Sequence, residues 1–219
     1  MDNNLSIVVC ALNEAAHVGE VLCRLVKAYP HAQLILVDNG STDGTADVAK
    51  AAVPSVEVVT EPVPGKGTAM RAGARQANRE WLLFHDADLE YDIEDSVRVV
   101  QKAIAHDCSC AGTRMVAYDR ILASSWLANR LIQALLRMKT GAHVPDVLTG
   151  TRCMRTSLFL ALETQSAHFG IETEITRAIL DRTVTLLSEP VRFYPRSVEA
   201  GKKIRLRHLF SLMHQAVKS

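Results

Sequence analysis

The chain has 219 residues, of which 48% are hydrophobic and 22% are charged, and its formal net charge is +1 at pH 7. This composition predicts a packed globular core, and the near-neutral charge gives no bulk electrostatic basis for binding nucleic acid. The five cysteines are scattered and lack zinc-finger spacing, which favours a reducing compartment. The N-terminus lacks the basic start of a secretory leader, and no apolar run approaches the ~18 residues that span a bilayer. We therefore expect a cytoplasmic protein that is soluble or peripheral on the cytoplasmic membrane face.

Apolar runs and helical patterns alternate through residues 5–112. Runs of bulky residues bounded by turn residues indicate buried strands, and the segments between them repeat apolar residues with helical spacing. This alternation predicts an α/β domain with a mostly parallel central sheet, flanked by helices and joined by right-handed crossovers. The predicted strands are residues 5–10, 34–37, 56–59, 81–84 and 108–112. Four helices are predicted. The first has Val18, Val21, Leu22, Leu25 and Val26 on one apolar face, and the second is capped by Thr42 or Asp43. The third runs through Ala69, Ala72 and Ala77, and the fourth covers residues 92–105.

Polar residues cluster just past these predicted strand ends and helix starts. They are Asn13, Glu14, Asp38, Lys66, Asp86 and Asp88. In parallel α/β sheets, ligands bind outside the carboxyl ends of the strands. Since the residues would converge on one edge of the sheet, the sequence predicts a functional site there.

The apolar strand at residues 81–84 leads into three carboxylates spaced two apart, Asp86, Asp88 and Glu90. Clustered carboxylates repel one another and suit a hard cation with oxygen ligands, so the motif predicts a Mg²⁺ or Mn²⁺ site. The alternative is a solvated acidic turn that caps the next helix. The polar residues at the other strand ends favour the metal site.

A divalent metal together with lysines and arginines is typical of a diphosphate-binding site. Lys66 lies between Gly65 and Gly67 at a predicted helix start, where free backbone N–H groups would help it to meet a phosphate. The segment is not a Walker A loop, because the upstream glycine spacing is missing and Pro62 and Pro64 precede it. No G-x-G-x-x-G motif follows the first strand, which disfavours a dinucleotide-binding fold.

The second half of the chain has a different pattern. A long helix is predicted over residues 121–138, a polar loop over 146–152, and a further helix that begins at 169–174. Two strands are predicted over residues 183–187 and 190–194, the second at a sheet edge because of its proline. The C-terminal part is a basic loop, residues 196–207, followed by a short amphipathic helix within 205–219.

The ordered motifs resemble those of the family 2 glycosyltransferases, which have the GT-A fold, and most closely the dolichyl- or polyprenyl-phosphate mannosyl- and glucosyltransferases. The motifs are Asn13-Glu14, residues 37–45, Gly65-Lys66-Gly67, residues 86–90, residues 112–114, Asp146 with Thr149-Gly150, residues 169–174, and residues 201–204 downstream of Arg196. The resemblance covers nearly the whole chain in the family order. It implies one GT-A domain, with a nucleotide-sugar half over 1–115 and an acceptor half over 116–204.

The resemblance also implies roles for individual residues. The nucleotide-sugar donor would contact Ala11, Leu12, Asn13, Glu14, Asp38, Gly40, Lys66, Asp86, Ala87 and Asp88. The metal, Mg²⁺ or Mn²⁺, would be held by Asp86, Asp88 and Glu90, although mannosyl-type members often carry Gln where this chain has Glu90. Arg114 would lie near the sugar or acceptor, and Arg196 and Lys202 would contact phosphates.

The implied reaction is the inverting, metal-dependent transfer of a hexose from a donor of the GDP-mannose or UDP-glucose type to a polyprenyl phosphate. A phosphate acceptor is already anionic and needs little help from a base. A hydroxyl acceptor would need a carboxylate base, for which Asp146, Glu172 and Glu174 are the candidates. Three alternatives are a soluble acceptor, a sugar-phosphate nucleotidyltransferase and a non-catalytic nucleotide-sugar-binding module.

Overall fold

The computed structural model describes residues 2–115 and 123–195. For residues 115 and 123–125 the description covers the backbone only. The strands are β1 Leu5–Ala11, β2 Gln33–Asp38, β3 Glu57–Thr60, β4 Trp81–Asp86, β5 Ser109–Met115, β6 Arg152–Arg155 and β7 Leu186–Arg192. The helices are α1 Val18–Ala28, α2 Thr45–Ala52, α3 Lys66–Gln76, α4 Ile93–Ala105, α5 Ala123–Thr140, α6 Thr156–Ala161 and α7 Ile171–Asp181.

The strands form one seven-stranded sheet in the order β3-β2-β1-β4-β6-β5-β7. Strands β3, β2, β1 and β4 are parallel neighbours, and β5 and β7 are also parallel. Between these two groups lies β6, which is antiparallel to both β4 and β5. The predicted α/β fold with a mostly parallel sheet is confirmed.

Helices cover both faces of the sheet, which explains why the central strands are almost continuously apolar. Along β1, Ile7 and Val9 face the cluster formed with α1 and α4, whereas Val8 faces the cluster formed with α3, α6 and α7. A smaller hydrophobic cluster packs Ile132 and Leu136 of α5 against Val144 and Val147. Buried on both sides, β1 and β4 are rigid supports for the residues at their carboxyl ends.

Three local predictions need correction, and two elements were not predicted. Strand β6 and helix α6 follow the loop predicted over residues 146–152, in a segment for which no element was predicted. The reason is that β6 is a four-residue strand with an arginine at each end and therefore carries no apolar run. The two strands predicted near the C-terminal end are one, β7, which does lie at a sheet edge and contains Pro190. Val26 is exposed, whereas the other four residues of the predicted apolar face of α1 are buried, because Val26 lies at the edge of that face. Helix α2 begins after Gly44, and Asp43 accepts a hydrogen bond from the backbone N–H of Thr45.

Several predictions fall outside the described residues. These are the roles of Arg196 and Lys202, the basic loop over 196–207, the amphipathic helix within 205–219, and the first two residues of the helix predicted over 121–138. Among the residues that the structure describes, no helix combines the length and the apolar character needed to cross a membrane.

Candidate active site

A cleft of about 570 Å³ opens at the carboxyl ends of β1 and β4 and beside the first turn of α3. Ten of the predicted site residues line it: Ala11, Leu12, Glu14, Lys66, Asp86, Ala87, Asp88, Glu90, Arg114 and Glu172. The parallel strands and the helix that follows β3 bring these residues together, as the sequence predicts. Asn13, Asp38, Gly40, Asp146 and Glu174 do not line this cleft.

Asn13 and Asp38 hold the two loops that flank the cleft. The backbone of Asn13 has a positive φ of 55°, and its side-chain oxygen accepts a hydrogen bond from the backbone N–H of Thr42 at 2.8 Å. Asp38 accepts one from the N–H of Ser41 at 3.0 Å, and Gly40 makes the turn with a φ of 85°. Contacts of these residues with a base or ribose stay predictions, because the observed bonds are within the protein.

Lys66 is held between two acidic side chains. Its ammonium nitrogen lies 2.7 Å from Oδ1 of Asp86 and 2.8 Å from Oε1 of Glu172, and all three groups are largely buried. Burial by itself would lower the pKa of Lys66, but the two carboxylates outweigh it and raise the pKa well above its ordinary value. Burial would raise the pKa of Asp86, but the charge of Lys66 lowers it below its ordinary value. Lys66 and Asp86 are therefore both ionised at neutral pH.

The glycines beside Lys66 have a packing role that the sequence did not predict. The backbone N–H groups of Gly67 and Thr68 donate to the carbonyl oxygen of Ala167, at 2.8 and 3.3 Å. A Cβ on Gly67 would lie 1.9 Å from the carbonyl oxygen of Ser166, so only glycine permits this close approach. The expectation of free N–H groups beside Lys66 is therefore wrong: those of Gly67 and Thr68 bind the segment that precedes α7.

Gly150 makes an equally close contact with the acidic motif. A Cβ at this position would lie 1.9 Å from Oδ2 of Asp86, and the N–H of Gly150 donates to the hydroxyl of Tyr91 at 3.0 Å. The loop before β6 thus packs directly against the end of β4. As a result, Asp86 is enclosed by Lys66 on one side and Gly150 on the other.

Arg114, which lines the cleft, forms a two-point ion pair with Asp146 behind it. The distances are 2.7 Å from Nε to Oδ2 and 2.9 Å from Nη2 to Oδ1. Asp146 also accepts hydrogen bonds from the side chain of Asn129 and the N–H of Leu148. Burial alone would lower the pKa of Arg114, but Asp146 raises it, so the guanidinium is permanently charged.

The three carboxylates considered as bases are all engaged. Asp146 binds Arg114, and Glu174 accepts the backbone N–H groups of Gln165 and Ser166 at 3.0 and 2.8 Å. Glu172 binds Lys66 through Oε1, whereas its Oε2 is buried and has no hydrogen-bond partner within the described part of the chain. Asp146 and Glu174 therefore hold loops in place, and Glu172 is the one of the three that faces the cleft.

Sequence reasoning missed an aromatic wall of the cleft. The rings of Tyr91 and Phe193 lie 4.9 Å apart between centroids, and the guanidinium of Arg114 lies 5.2 Å from the centre of the Phe193 ring. Tyr91 and Phe193 also form an isolated antiparallel bridge. No sequence signal joins two aromatic residues that are this far apart along the chain.

The acidic motif fits a metal that shares its coordination with a bound diphosphate. Among residues 2–115 and 123–195, no group of three histidine, cysteine or acidic side chains is arranged to hold a metal ion by itself. The predicted three-residue site is therefore not preformed, since Oδ1 of Asp86 is committed to Lys66. Asp88 and Glu90 still present carboxylates to the cleft, and Mg²⁺ commonly takes one or two carboxylates together with substrate phosphates.

Comparison with known proteins identifies glycosyltransferases as relatives of this chain. A family model described as "Glycosyl transferase family 2" matches residues 6–162. Glycosyltransferase AglJ of Haloferax volcanii is 27% identical over 197 residues, which cover 86% of this chain and 63% of that protein. Undecaprenyl-phosphate 4-deoxy-4-formamido-L-arabinose transferase of Edwardsiella ictaluri is 26% identical over 225 residues, which cover 97% of this chain and 66% of that protein. The chain thus spans just under two thirds of the length of these curated relatives.

The fold is similar to that of glucosyl-3-phosphoglycerate synthase from Mycobacterium tuberculosis, solved in complex with Mn²⁺, UDP-glucose and phosphoglyceric acid. The TM-score is 0.76 at 21% identity, and the match covers 97% of this chain and 79% of that one. At this identity the likeness concerns the fold, and it confirms the predicted GT-A architecture.

Proposed function

Because the chain belongs to glycosyl transferase family 2, we propose that it transfers a sugar from a nucleoside-diphosphate sugar to a polyprenyl phosphate. The observation that carries this proposal is the cleft at the ends of β1 and β4. It combines the carboxylates of Asp88 and Glu90 with the buried cations Lys66 and Arg114. Acidic and basic groups side by side suit a ligand that binds both a metal and the protein through phosphate oxygens.

The donor half of the site is the wall formed by β1, β4 and α3. Asp88 and Glu90 would hold a divalent cation, Mg²⁺ or Mn²⁺, which when bound neutralises charge on the leaving diphosphate. Ala11, Leu12 and Glu14 lie on the same wall and would border the nucleoside. Support for a nucleotide-sugar donor comes from the similar structure that contains Mn²⁺ and UDP-glucose.

Lys66 and Glu172 would position the sugar. Lys66 fixes Glu172 through Oε1, which leaves Oε2 as a buried acceptor with no partner among the described residues. A hydroxyl of the donor sugar would satisfy this oxygen, since a buried carboxylate oxygen without a partner is costly. Glu172 is thereby proposed as a sugar-binding residue.

The acceptor is proposed to be a phosphate because the cleft offers a fixed cation, and two of the three carboxylates considered as bases lie outside it. Arg114 is held by Asp146 against Phe193, where it would attract an anionic acceptor. Of the three candidate bases, Asp146 and Glu174 are bound to groups of the protein and do not line the cleft. An already ionised nucleophile suits such a site. The undecaprenyl-phosphate transferase among the relatives supports the same acceptor class.

The main competing function is transfer to a soluble acceptor, and the structurally similar synthase that binds phosphoglyceric acid supports it. A sugar-phosphate nucleotidyltransferase is disfavoured, because Ala11-Leu12-Asn13-Glu14 does not form the glycine- and arginine-rich loop expected after its first strand. A non-catalytic binding module would not need both Asp88 and Glu90 in the cleft.

The test is a donor and acceptor panel on the full chain. Nucleoside-diphosphate sugars are first scored by thermal stabilisation with and without Mn²⁺, because binding raises stability by mass action. The stabilising donors are then incubated with a short-chain polyprenyl phosphate, or with phosphoglyceric acid, and the products are identified by mass spectrometry. Sugar transfer to the polyprenyl phosphate supports the proposal. Transfer only to the soluble acid would replace it with the competing function.

A further inference from the structure

Helix α5 carries an unusual exposed surface. Trp126, Leu127, Leu131 and Met138 are 40%, 48%, 37% and 75% exposed, whereas Ile132 and Leu136 on the other side are fully buried. Single exposed apolar residues are ordinary in soluble proteins, but a cluster of large ones on one helix marks an interaction surface. We call these four residues the α5 stripe.

The exposed face of α5 has two parallel rows, according to helical geometry. At 100° per residue, Leu127, Leu131, Ala134 and Met138 fall in one row, and Trp126, Arg130 and Arg137 fall in the adjacent row. The guanidinium of Arg130 lies 5.6 Å from the centre of the Trp126 ring. One row of the exposed face is thus apolar, and the adjacent row combines a tryptophan with two arginines. This arrangement is typical of a helix that lies in a membrane interface.

The charges on α5 favour an anionic partner. The sequence from Ala123 to Thr140 contains no aspartate or glutamate. Lys139 is on the opposite side of the helix, where its ammonium lies 3.6 Å from a carboxylate oxygen of Asp181. The exposed face therefore presents the cations Arg130 and Arg137 and no acidic side chain of its own helix.

The inner side of the same helix is joined to the cleft. Asn129 donates to the carboxylate of Asp146 at 3.0 Å, and Asp146 holds Arg114. The helix that carries the α5 stripe is therefore one side chain, Asn129, away from the ion pair of the proposed acceptor site. A bilayer bound to the outer face of α5 would lie about one helix diameter, ~10–12 Å, from Asp146, and a lipid-linked phosphate is presented at such a bilayer surface.

We propose that the α5 stripe, with Arg130 and Arg137, docks the protein on an anionic lipid bilayer beside the acceptor side of the cleft. The apolar row would enter the headgroup region, and the two arginines would bind lipid phosphates. This inference deepens the proposed function, on which it rests for the nature of the acceptor. It assigns the contact to a specific face of one helix.

The experiment is co-sedimentation of the full chain with vesicles, without donor or acceptor. Vesicles of phosphatidylcholine with phosphatidylglycerol are compared with pure phosphatidylcholine at low and high salt. The wild type is expected to bind the anionic vesicles more tightly. The double variant Leu127→Ser/Leu131→Ser should lose about tenfold or more in partition coefficient, and Arg130→Gln/Arg137→Gln should lose about fivefold for each arginine.

The matched control is Val48→Ser/Leu160→Ser, which removes two exposed apolar side chains from α2 and α6. This control should bind vesicles like the wild type, and all variants should keep the wild-type melting temperature within a few degrees. Equal binding by the wild type and the Leu127→Ser/Leu131→Ser variant would overturn the proposal. Equal binding to neutral and anionic vesicles would overturn it too. So would a wild-type dimer in size-exclusion chromatography together with a monomeric Leu127→Ser/Leu131→Ser variant, because the stripe would then be a contact between two copies of the chain.

Failure of this inference can be distinguished from failure of the proposed function. Sugar transfer to a short, water-soluble polyprenyl phosphate without vesicles should be the same for the wild type and the stripe variant. If that transfer occurs but vesicle binding does not depend on the stripe, only the docking surface is wrong. If no transfer occurs with any acceptor, the proposed function fails, whatever the vesicles show.

Discussion

The ammonium nitrogen of Lys66 lies 2.7 Å from Oδ1 of Asp86, so the first carboxylate of the acidic motif is neutralised by the protein itself. This pairing makes the three carboxylates of the motif, Asp86, Asp88 and Glu90, different from one another. All three carboxylates line the cleft, but Asp86 is also paired with Lys66, which in turn binds Glu172. The roles predicted for Asp86, Asp88 and Glu90 in holding a metal stay predictions, but one oxygen of Asp86 is already bound to Lys66.

Lys66→Met should destabilise the fold strongly. The substitution leaves Asp86 and Glu172 buried without their shared cation, and removing one partner of a buried ion pair costs about 3–5 kcal/mol. Urea unfolding at pH 7.5 measures the loss. Lys102→Met is the control, because Lys102 is one-third exposed and its pair with Glu189 should contribute about 1 kcal/mol or less. Equally small losses for both variants would contradict the buried pairing of Lys66 with Asp86 and Glu172.

Asp88→Asn should abolish metal-dependent donor binding while the fold stays intact. The substitution removes a charged oxygen ligand but keeps the side-chain shape, and we expect turnover to fall by about 100-fold or more. The measurement is Mn²⁺-dependent thermal stabilisation by the donor, together with turnover. Glu94→Gln, which neutralises an exposed acid on α4, should leave both unchanged. Full activity of the Asp88→Asn variant in EDTA would exclude the metal assignment.

Gly150→Ala should inactivate the protein through Asp86. The added methyl would lie 1.9 Å from Oδ2 of Asp86, so either the loop or the carboxylate must move. Overpacking of this kind costs about 1–3 kcal/mol, and the shift would break the geometry around Lys66. Unfolding and turnover are measured side by side with Gly19→Ala, whose added Cβ would meet the Cβ of Ala52 at a milder 3.3 Å. Wild-type turnover in Gly150→Ala would show that the contact is not required.

The ionised carboxylate of Asp95 should stabilise the fold, and this stabilisation should be lost at acid pH. This buried carboxylate accepts hydrogen bonds from the N–H of Arg192 at 2.6 Å and from its guanidinium at 2.8 and 3.0 Å. Burial would raise the pKa of Asp95, but Arg192 and Arg98 outweigh it and lower the pKa below its ordinary value of 3.8.

Because the folded pKa of Asp95 is the lower one, the unfolded chain binds more protons, and stability rises with pH in this window. The contribution is therefore fully present above about pH 4 and is lost as the pH falls through the depressed pKa. Asp95→Asn should lower the melting temperature at pH 7, and its difference from the wild type should shrink below pH 4. A difference that is constant from pH 3 to 7 would refute the assignment.

Transfer to a phosphate acceptor predicts a simple pH profile. A phosphate monoester loses its second proton at about pH 6, so kcat/KM should fall below that pH and stay level above it. Glu174→Gln should lower stability, because Glu174 accepts two backbone N–H groups, but it should not shift the profile. A profile that moves with Glu172 or Glu174 would indicate a carboxylate base and a hydroxyl acceptor.

The sequence predicts the central strands and most of the residues at their ends, because apolar runs that stop at polar residues carry a strong local signal. The positions of Asp86 at the end of β4, Asp88 just past it and Glu14 after β1 follow from that signal alone. The ion pairs within the site do not follow from it. Glu172 lies far along the chain from Lys66, and Gly150 reaches Asp86 only because β6 runs antiparallel beside β4. The sequence predicted a phosphate-binding turn at Gly65 and Gly67, whereas these glycines pack closely against residues 166–168. Both functions require glycine, so the residue type alone does not distinguish them.

Strand β6 has a mechanical consequence for the site. It is the hydrogen-bonded bridge between two blocks of parallel strands, and its pairing with β5 is short, Cys110 with Cys153 and Ala111 with Arg152. Asp86 belongs to the block of β4, and Arg114 belongs to the block of β5. Rotation of one block against the other about β6 would change the distance between these two residues. The separation of Asp86 and Arg114 across the cleft therefore depends on a four-residue strand that does not itself line the cleft.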